Sequence, residues 1–205
     1  MSLFAPDIPN GFCYREDFIS AAEETELAAH IAGVEFSSFE MRGLVAKRRV
    51  AFFGASYDRG DAPASPIPGF LRPLMIRTAA WAGIEPDAFA MALINEYRAG
   101  APIGWHRDAP QYDIVAGISL ISPSRMRFRP YVSPGATAAT GGRRKTTHEI
   151  VLNPRSAYLM TGEARNGYEH SIPPVAEIRY SITFRTLRNG RARPGRTLRL
   201  PRSDR

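Results

Sequence analysis

One cysteine, Cys13, stands in the whole 205-residue chain. Neither an intrachain disulfide nor a cysteine-rich zinc cluster can form, and the expected compartment is a reducing one, the cytoplasm. Long apolar runs are missing too. The longest, around Ile114 to Ile121, falls far short of the roughly 18 to 20 residues that cross a bilayer, so no membrane partner is expected. The opening residues, MSLFAPDIPNGF, have neither the basic start nor the apolar centre of a secretory leader. No internal repeat is present, and histidine is scarce, with four. Acidic residues are outnumbered, 20 against 27 Lys and Arg, for a net charge of +7. Seven Arg and one Asp of that balance lie between 186 and 205, so the rest of the chain carries only about one net positive charge.

What is there is turn chemistry and short apolar segments. With 17 Gly, 17 Pro and 44% apolar residues, the chain reads as a turn-rich globular protein of mainly β structure with flanking helices. Its length suits one domain. The expected organisation is a single domain over 1–187, made of a helical and lid region at 1–87 and a β core at 88–187. A basic tail at 188–205, broken by Pro194 and Pro201, cannot bury enough apolar surface to fold alone. Ser20 and Glu23 make a capping box for a helix between Asp17 and Gly33, with Phe18, Ala21, Leu27, Ala28 and Ile31 as its apolar stripe. Arg42 to Arg49 reads as irregular, running into a short strand at Val50–Phe53. A Pro-rich connector at 58–69 leads to a second helix from Leu71 to Gly83. Strands are expected at 90–98, 114–122, 126–132, 146–152, 156–160 and 179–187, a spacing that suits a sandwich, jelly roll or barrel. Residues 133–145 read as a loose hairpin loop.

His106 stands two residues before Asp108. In extended chain, positions i and i+2 face the same way, so an imidazole and a carboxylate can converge on one cation. One more neutral ligand completes a facial triad that leaves coordination positions open, the arrangement of non-haem Fe(II) oxygenases. His170 is the candidate. In the last strand Arg179, Ser181, Thr183 and Arg185 share one parity, and Tyr180, Ile182 and Phe184 the other. The two arginines lie about 20 Å apart along the strand, and with their own reach they bracket a short dicarboxylate, which guanidinium forks bind bidentately. Arg125, Arg127 and Arg129 alternate with Met126 and Phe128. With the basic segments near Lys47 and Arg143 they outline a footprint for a nucleic acid. His148 beside Glu149 faces the opposite way and reads as structural; His30 reads as a helix-end histidine.

Asn95-Glu96-Tyr97, Trp105-His106-Arg107-Asp108, His170 and Arg179-Tyr180-Ser181-Ile182-Thr183-Phe184-Arg185 together resemble the AlkB family of Fe(II)- and 2-oxoglutarate-dependent dioxygenases, over about residues 88 to 187. Arg48 to Tyr57 is more loosely similar to the family's nucleotide-recognition lid. The resemblance implies a double-stranded β-helix (jelly roll) in which His106, Asp108 and His170 hold iron. Arg179 and Ser181 would take the distal carboxylate of 2-oxoglutarate, and Asn95, Tyr97 and Arg185 would complete that pocket. It implies oxidative demethylation or dealkylation of DNA or RNA bases, with O2 as the other cosubstrate. A base enters such a site flipped or single-stranded and gripped by stacking, for which Tyr57, Phe52 or Phe53 are candidates; Trp105, Arg127 and Arg129 are further substrate-contact candidates. Ala109 and Pro110 stand where many nucleic-acid repair members carry an acidic residue that helps read the base, and Asp113 is the possible substitute. Two other readings follow: the same chemistry on a protein or small molecule, and an inactive nucleic-acid-binding protein. A monomer is expected.

Overall fold

The computed structural model describes residues 8–41, 44–55, 65–132 and 147–188. Eleven strands form two antiparallel sheets among the described residues. In chain order they are β1 (Phe12–Arg15), β2 (Ser37–Met41), β3 (Leu44–Gly54), β4 (Phe89–Tyr97), β5 (Ile103–His106), β6 (Tyr112–Leu120), β7 (Ser124–Pro130), β8 (His148–Leu152), β9 (Ala157–Met160), β10 (Tyr168–Ile172) and β11 (Arg179–Leu187). The large sheet has the order β1-β9-β6-β11-β4-β3-β2 and the small one β5-β10-β7-β8. From β4 to β7, and again from β8 to β11, each new strand joins the sheet opposite its predecessor. Two walls are thereby built from interleaved sequence, a jelly roll as expected.

Helix α1 (Ala21–Ala32) starts where the capping box predicts: Glu23 N–H donates to Ser20 Oγ at 3.2 Å and Ser20 N–H to Glu23 Oε2 at 2.8 Å. Asp17 and Phe18 fall outside it. Helix α2 (Arg72–Ala82) ends at Gly83, whose φ of 69° is the left-handed stop that glycine makes without strain. Both helices cover one face of the large sheet, where Leu27, Ile31, Leu74 and Ala79 pack on Ile94, Ile118, Ile182 and Phe184. Alternation along β11 decides the rest. Ile182 and Phe184 are buried under the helices, each contributing about 1.5–3 kcal/mol, so Arg179, Ser181, Thr183 and Arg185 must turn toward the small sheet. A second core of Phe12, Val115, Met126, Phe128, Tyr158 and Met160 fills part of the space between the sheets.

Two sequence expectations change. Arg42–Arg49 is not irregular where it is described: β3 begins at Leu44, pairing with β2 on one side and β4 on the other. Strands β1, β2, β5 and β10 and the short helix α3 (Gly162–Asn166) were not anticipated. The loop at 133–145, Tyr57 and the tail beyond residue 188 lie outside the described residues. No helix among the described residues is long and apolar enough to cross a membrane.

Candidate active site

The small sheet supplies the imidazoles. His106 at the end of β5 and His170 in β10 are direct cross-strand partners, so their shared face follows from the ladder, and their rings lie 4.3 Å apart. His106 Nδ1 donates to the Gly104 carbonyl at 2.9 Å. A carbonyl only accepts, so the proton is fixed on Nδ1 and the Nε2 lone pair is turned outward. Burial holds the pKa of His106 below the ordinary histidine value, and burial followed by the neighbouring His106 pushes His170 down to about 3. Both rings are therefore neutral donors at neutral pH.

Asp108 joins them from just beyond β5. Its Oδ1 accepts from Arg185 Nε at 2.9 Å and Nη2 at 2.7 Å, while Oδ2 lies 3.7 Å from His170 Nε2 and is buried without a hydrogen bond. Burial opposes the charge on Asp108, but the Arg185 guanidinium outweighs it and keeps the carboxyl ionised. Among the described residues no three His, Cys, Asp or Glu side chains already stand at the spacing of a finished metal centre. What the fold does gather is two neutral imidazoles beside a carboxylate oxygen with no proton donor of its own, which is the donor chemistry a ferrous ion takes.

The large sheet supplies the opposite wall. Arg179 is 1% exposed; its Nε donates to Ser119 Oγ at 3.1 Å, its guanidinium lies over the Tyr97 ring at 5.1 Å, and its Nη1 is buried with no partner. A buried guanidinium with a donor to spare fits an anion, since leaving it unpaired costs several kcal/mol. Ser181 pairs in register with Asn95 on one side and Ser119 on the other, and Asn95 Oδ1 accepts from Arg48 Nε at 3.3 Å. At the other end of the strand Arg185 Nη1 donates to Thr183 Oγ1 at 2.9 Å. Tyr97, Asn95, Arg179, Ser181 and Arg185 thus line one wall together.

Other candidates are placed elsewhere. Trp105, one residue from His106 on a strand, faces the opposite side, and Arg129 lies over its ring at 4.5 Å. Because Phe128 points into the core, Arg127 and Arg129 point out of the small sheet. There Arg129 meets Glu169 at 2.6 Å, Arg127 meets Glu149 at 2.7 Å and Arg125 reaches Glu149 at 3.6 Å. The structure brings none of these three substrate-contact candidates, Trp105, Arg127 and Arg129, to the imidazoles, and the cationic stripe is interleaved with carboxylates. Phe53 packs into the helix-side core, whereas Phe52 stands on the site face opposite Leu93. Asp113 is exposed on β6.

Sequence reasoning passed over Arg165. Carried by α3 and buried, its Nη2 donates to the carbonyls of Asp108, Ala109 and Tyr112 at 3.2, 2.7 and 3.0 Å. One side chain thereby fixes the loop that carries Asp108. Nothing in the sequence signals it, because all three partners are backbone.

The sequence pattern of the family described as the 2OG-Fe(II) oxygenase superfamily matches residues 12–192. An Arabidopsis thaliana protein named alkylated DNA repair protein ALKBH8 homolog is 27% identical over 175 residues, covering 77% of this chain and 49% of that protein. The chain therefore spans about half the length of that relative. Uncharacterized protein L905 of Acanthamoeba polyphaga mimivirus is 27% identical over 197 residues, covering 87% and 85% of the two chains. Among solved structures, that of OsALKBH1 superposes with a TM-score of 0.64 at 15% identity, covering 89% of this chain and 99% of that one. A Pseudomonas putida prolyl-4-hydroxylase does so with a TM-score of 0.58 at 14% identity, over 88% and 94%. The chain belongs to the 2OG-Fe(II) oxygenase superfamily.

Proposed function

We propose that this dioxygenase removes alkyl groups oxidatively from the nitrogen atoms of nucleic-acid bases. His106, Asp108 and His170 hold its iron, and Arg179, Ser181, Asn95, Tyr97 and Arg185 hold its 2-oxoglutarate. The observation that carries the substrate class is the likeness, over 77% of this chain, to a relative named for repair of alkylated DNA. When bound, iron with 2-oxoglutarate and oxygen supplies the two-electron oxidation of a C–H bond, the keto acid losing carbon dioxide to become succinate. A methyl group on nitrogen becomes a hemiaminal, which breaks down to formaldehyde and the unmodified base.

The chain's own groups set the geometry. Arg185 keeps Asp108 ionised and turned so that Oδ2 faces His170, and Thr183 holds Arg185 in turn. The Gly104 carbonyl fixes the His106 tautomer. Arg179, excluded from water, binds the far carboxylate of the diacid more strongly than an exposed arginine would.

Incubation with Fe(II), 2-oxoglutarate and a panel of methylated and etheno-adducted oligonucleotides, read by mass spectrometry, tests this. Loss of the alkyl mass with stoichiometric succinate is the expected result; succinate formed with peptide substrates and none with any oligonucleotide overturns it. That second reading, hydroxylation of a protein, is favoured by the carboxylates that neutralise Arg127 and Arg129. The fold shared with prolyl hydroxylases of Pseudomonas putida and Trichoplax adhaerens is compatible with it.

A further inference from the structure

Four guanidiniums gather around the loop that carries Asp108. Two are buried: Arg185 is paired with Asp108, and Arg165 is bonded to three carbonyls of the loop. The other two, Arg107 and Arg188, reach the surface, and the function proposed above uses neither. Burial, then the cations of Arg188, Arg185 and Arg107, hold the pKa of Arg165 below its ordinary value, with the Asp108 carboxylate opposing them. All four charges thus act within one small volume.

Arg107 stands between His106 and Asp108, but its side chain turns out over the end of the small sheet. Its guanidinium lies 3.4 Å from the centre of the Tyr131 ring, and Nη1 donates to the Asn166 carbonyl at 3.3 Å. Arg188, the first residue past β11, comes to Asn166 from the large sheet. Its N–H donates to the Gln111 carbonyl at 2.9 Å, its Nε to the Tyr112 carbonyl at 3.2 Å and its Nη2 to Asn166 Oδ1. Two arginines from opposite sheets therefore converge on one exposed residue at the end of α3, and every acceptor they use is neutral. Among the described residues neither meets a carboxylate; Asp113 and Glu163, exposed on β6 and α3, form no ion pair with them. The outer stripe differs on this point, since Arg127 and Arg129 are each closed by a glutamate. Like charges held together without a counter-ion at a wet rim attract an anion. Stacking on Tyr131 fixes the plane of Arg107 and leaves its Nε and Nη2 without acceptors, the edge that forks onto phosphate oxygens.

We infer that Arg107 and Arg188 seat the phosphodiester backbone of the nucleic-acid substrate at the rim of the site. The inference rests on the nucleic-acid reading above. Arg107 is one residue from each of two candidate iron ligands, so a nucleotide that turns its base in toward the iron leaves its sugar and phosphate beside this pair. Such contacts position a strand without reading its sequence. The probe is a short fluorescein-labelled single strand carrying one N-methylated base. Its binding to the full chain, loaded with Mn(II) and N-oxalylglycine, a non-reacting analogue of 2-oxoglutarate, is followed by anisotropy between about 0.05 and 0.3 M salt. Loss of two phosphate contacts in Arg107→Gln with Arg188→Gln should lower the slope of log affinity against log salt by about 1.4, an affinity loss of about 10- to 25-fold near 0.1 M. Arg127→Gln with Arg129→Gln should stay within twofold of the wild type, and calorimetric affinity for N-oxalylglycine should stay within twofold in both pairs. An unchanged slope, or an equal loss from the outer pair, overturns the inference and leaves the nucleic-acid reading standing. A parallel fall in N-oxalylglycine affinity shows that the pair braces the Asp108 loop instead, and also overturns it. A wild-type chain that binds the analogue but no oligonucleotide, or an acidic peptide in its place, removes the nucleic-acid reading and the inference with it.

Discussion

Replacing Arg165 by Met removes a charge and keeps most of the volume, and the loss can be worked from the contacts. One Nη2 group serves three carbonyls, those of Asp108, Ala109 and Tyr112, at 2.7 to 3.2 Å. Two hydrogens shared among three acceptors amount to about two full bonds, each about 1.5–3 kcal/mol when the donor is charged. Against that, Arg165 Nε is buried without a partner, and its removal recovers about 1–3 kcal/mol. The net expectation is a loss of about 2–3 kcal/mol, at roughly 2–4 °C of melting temperature per kcal/mol for a chain of this size. The loop freed by the change carries Asp108, so affinity for Mn(II) or Co(II) should fall along with stability. Urea denaturation gives the first quantity and calorimetric metal titration the second. Arg165→Lys, which restores the charge but reaches one carbonyl at a time, should recover part of both. A stability change below about 0.5 kcal/mol together with unchanged metal affinity would refute the idea that this side chain holds the loop.

Glu23 is held down to about 2 from an ordinary value of 4.5, first by its hydrogen bonds from Arg77 and then by the Ser20 backbone. Its stabilisation should be complete above pH 4.5 and disappear as pH falls toward 2; Glu23→Gln should flatten the melting temperature over that window and lower it at pH 7, and an unchanged pH profile would count against the pairing. Ile121 is a β-branched residue at φ 77°, exposed in the turn between β6 and β7. Ile121→Gly should raise stability by about 1 kcal/mol, measured by urea denaturation, and a decrease would show that the side chain matters more than the backbone strain. Arg127→Ala with Arg129→Ala should leave turnover of a short oligonucleotide within about twofold, because both residues face away from the imidazoles in ion pairs; a larger loss of kcat/KM would bring the outer face into substrate binding.

Much of the site was readable in advance because one strand alternates strictly. Burial of Ile182 and Phe184 under the helices leaves Arg179, Ser181, Thr183 and Arg185 no other direction to face. The His106 and Asp108 spacing gave convergence even though Asp108 stands just past the end of β5. Strands β5 and β10 escaped notice for the converse reason. Their residues, IGWH and YEHSI, serve polar contacts on both faces and show no apolar alternation. The cations around Arg48 and Arg49 hid β3, since their partners Asn95 and Glu96 lie 47 residues away. The same distance effect hid Glu149 and Glu169 from any reading of the Arg127 and Arg129 stripe as open to phosphates.

The two imidazoles are rungs of one ladder, since His106 faces His170 across β5 and β10. Backbone hydrogen bonding, rather than the packing of side chains, therefore sets their separation, and closing the small sheet and assembling the donor pair are a single event. A slip of one residue between those strands would present Trp105 in place of His106 and part the two rings.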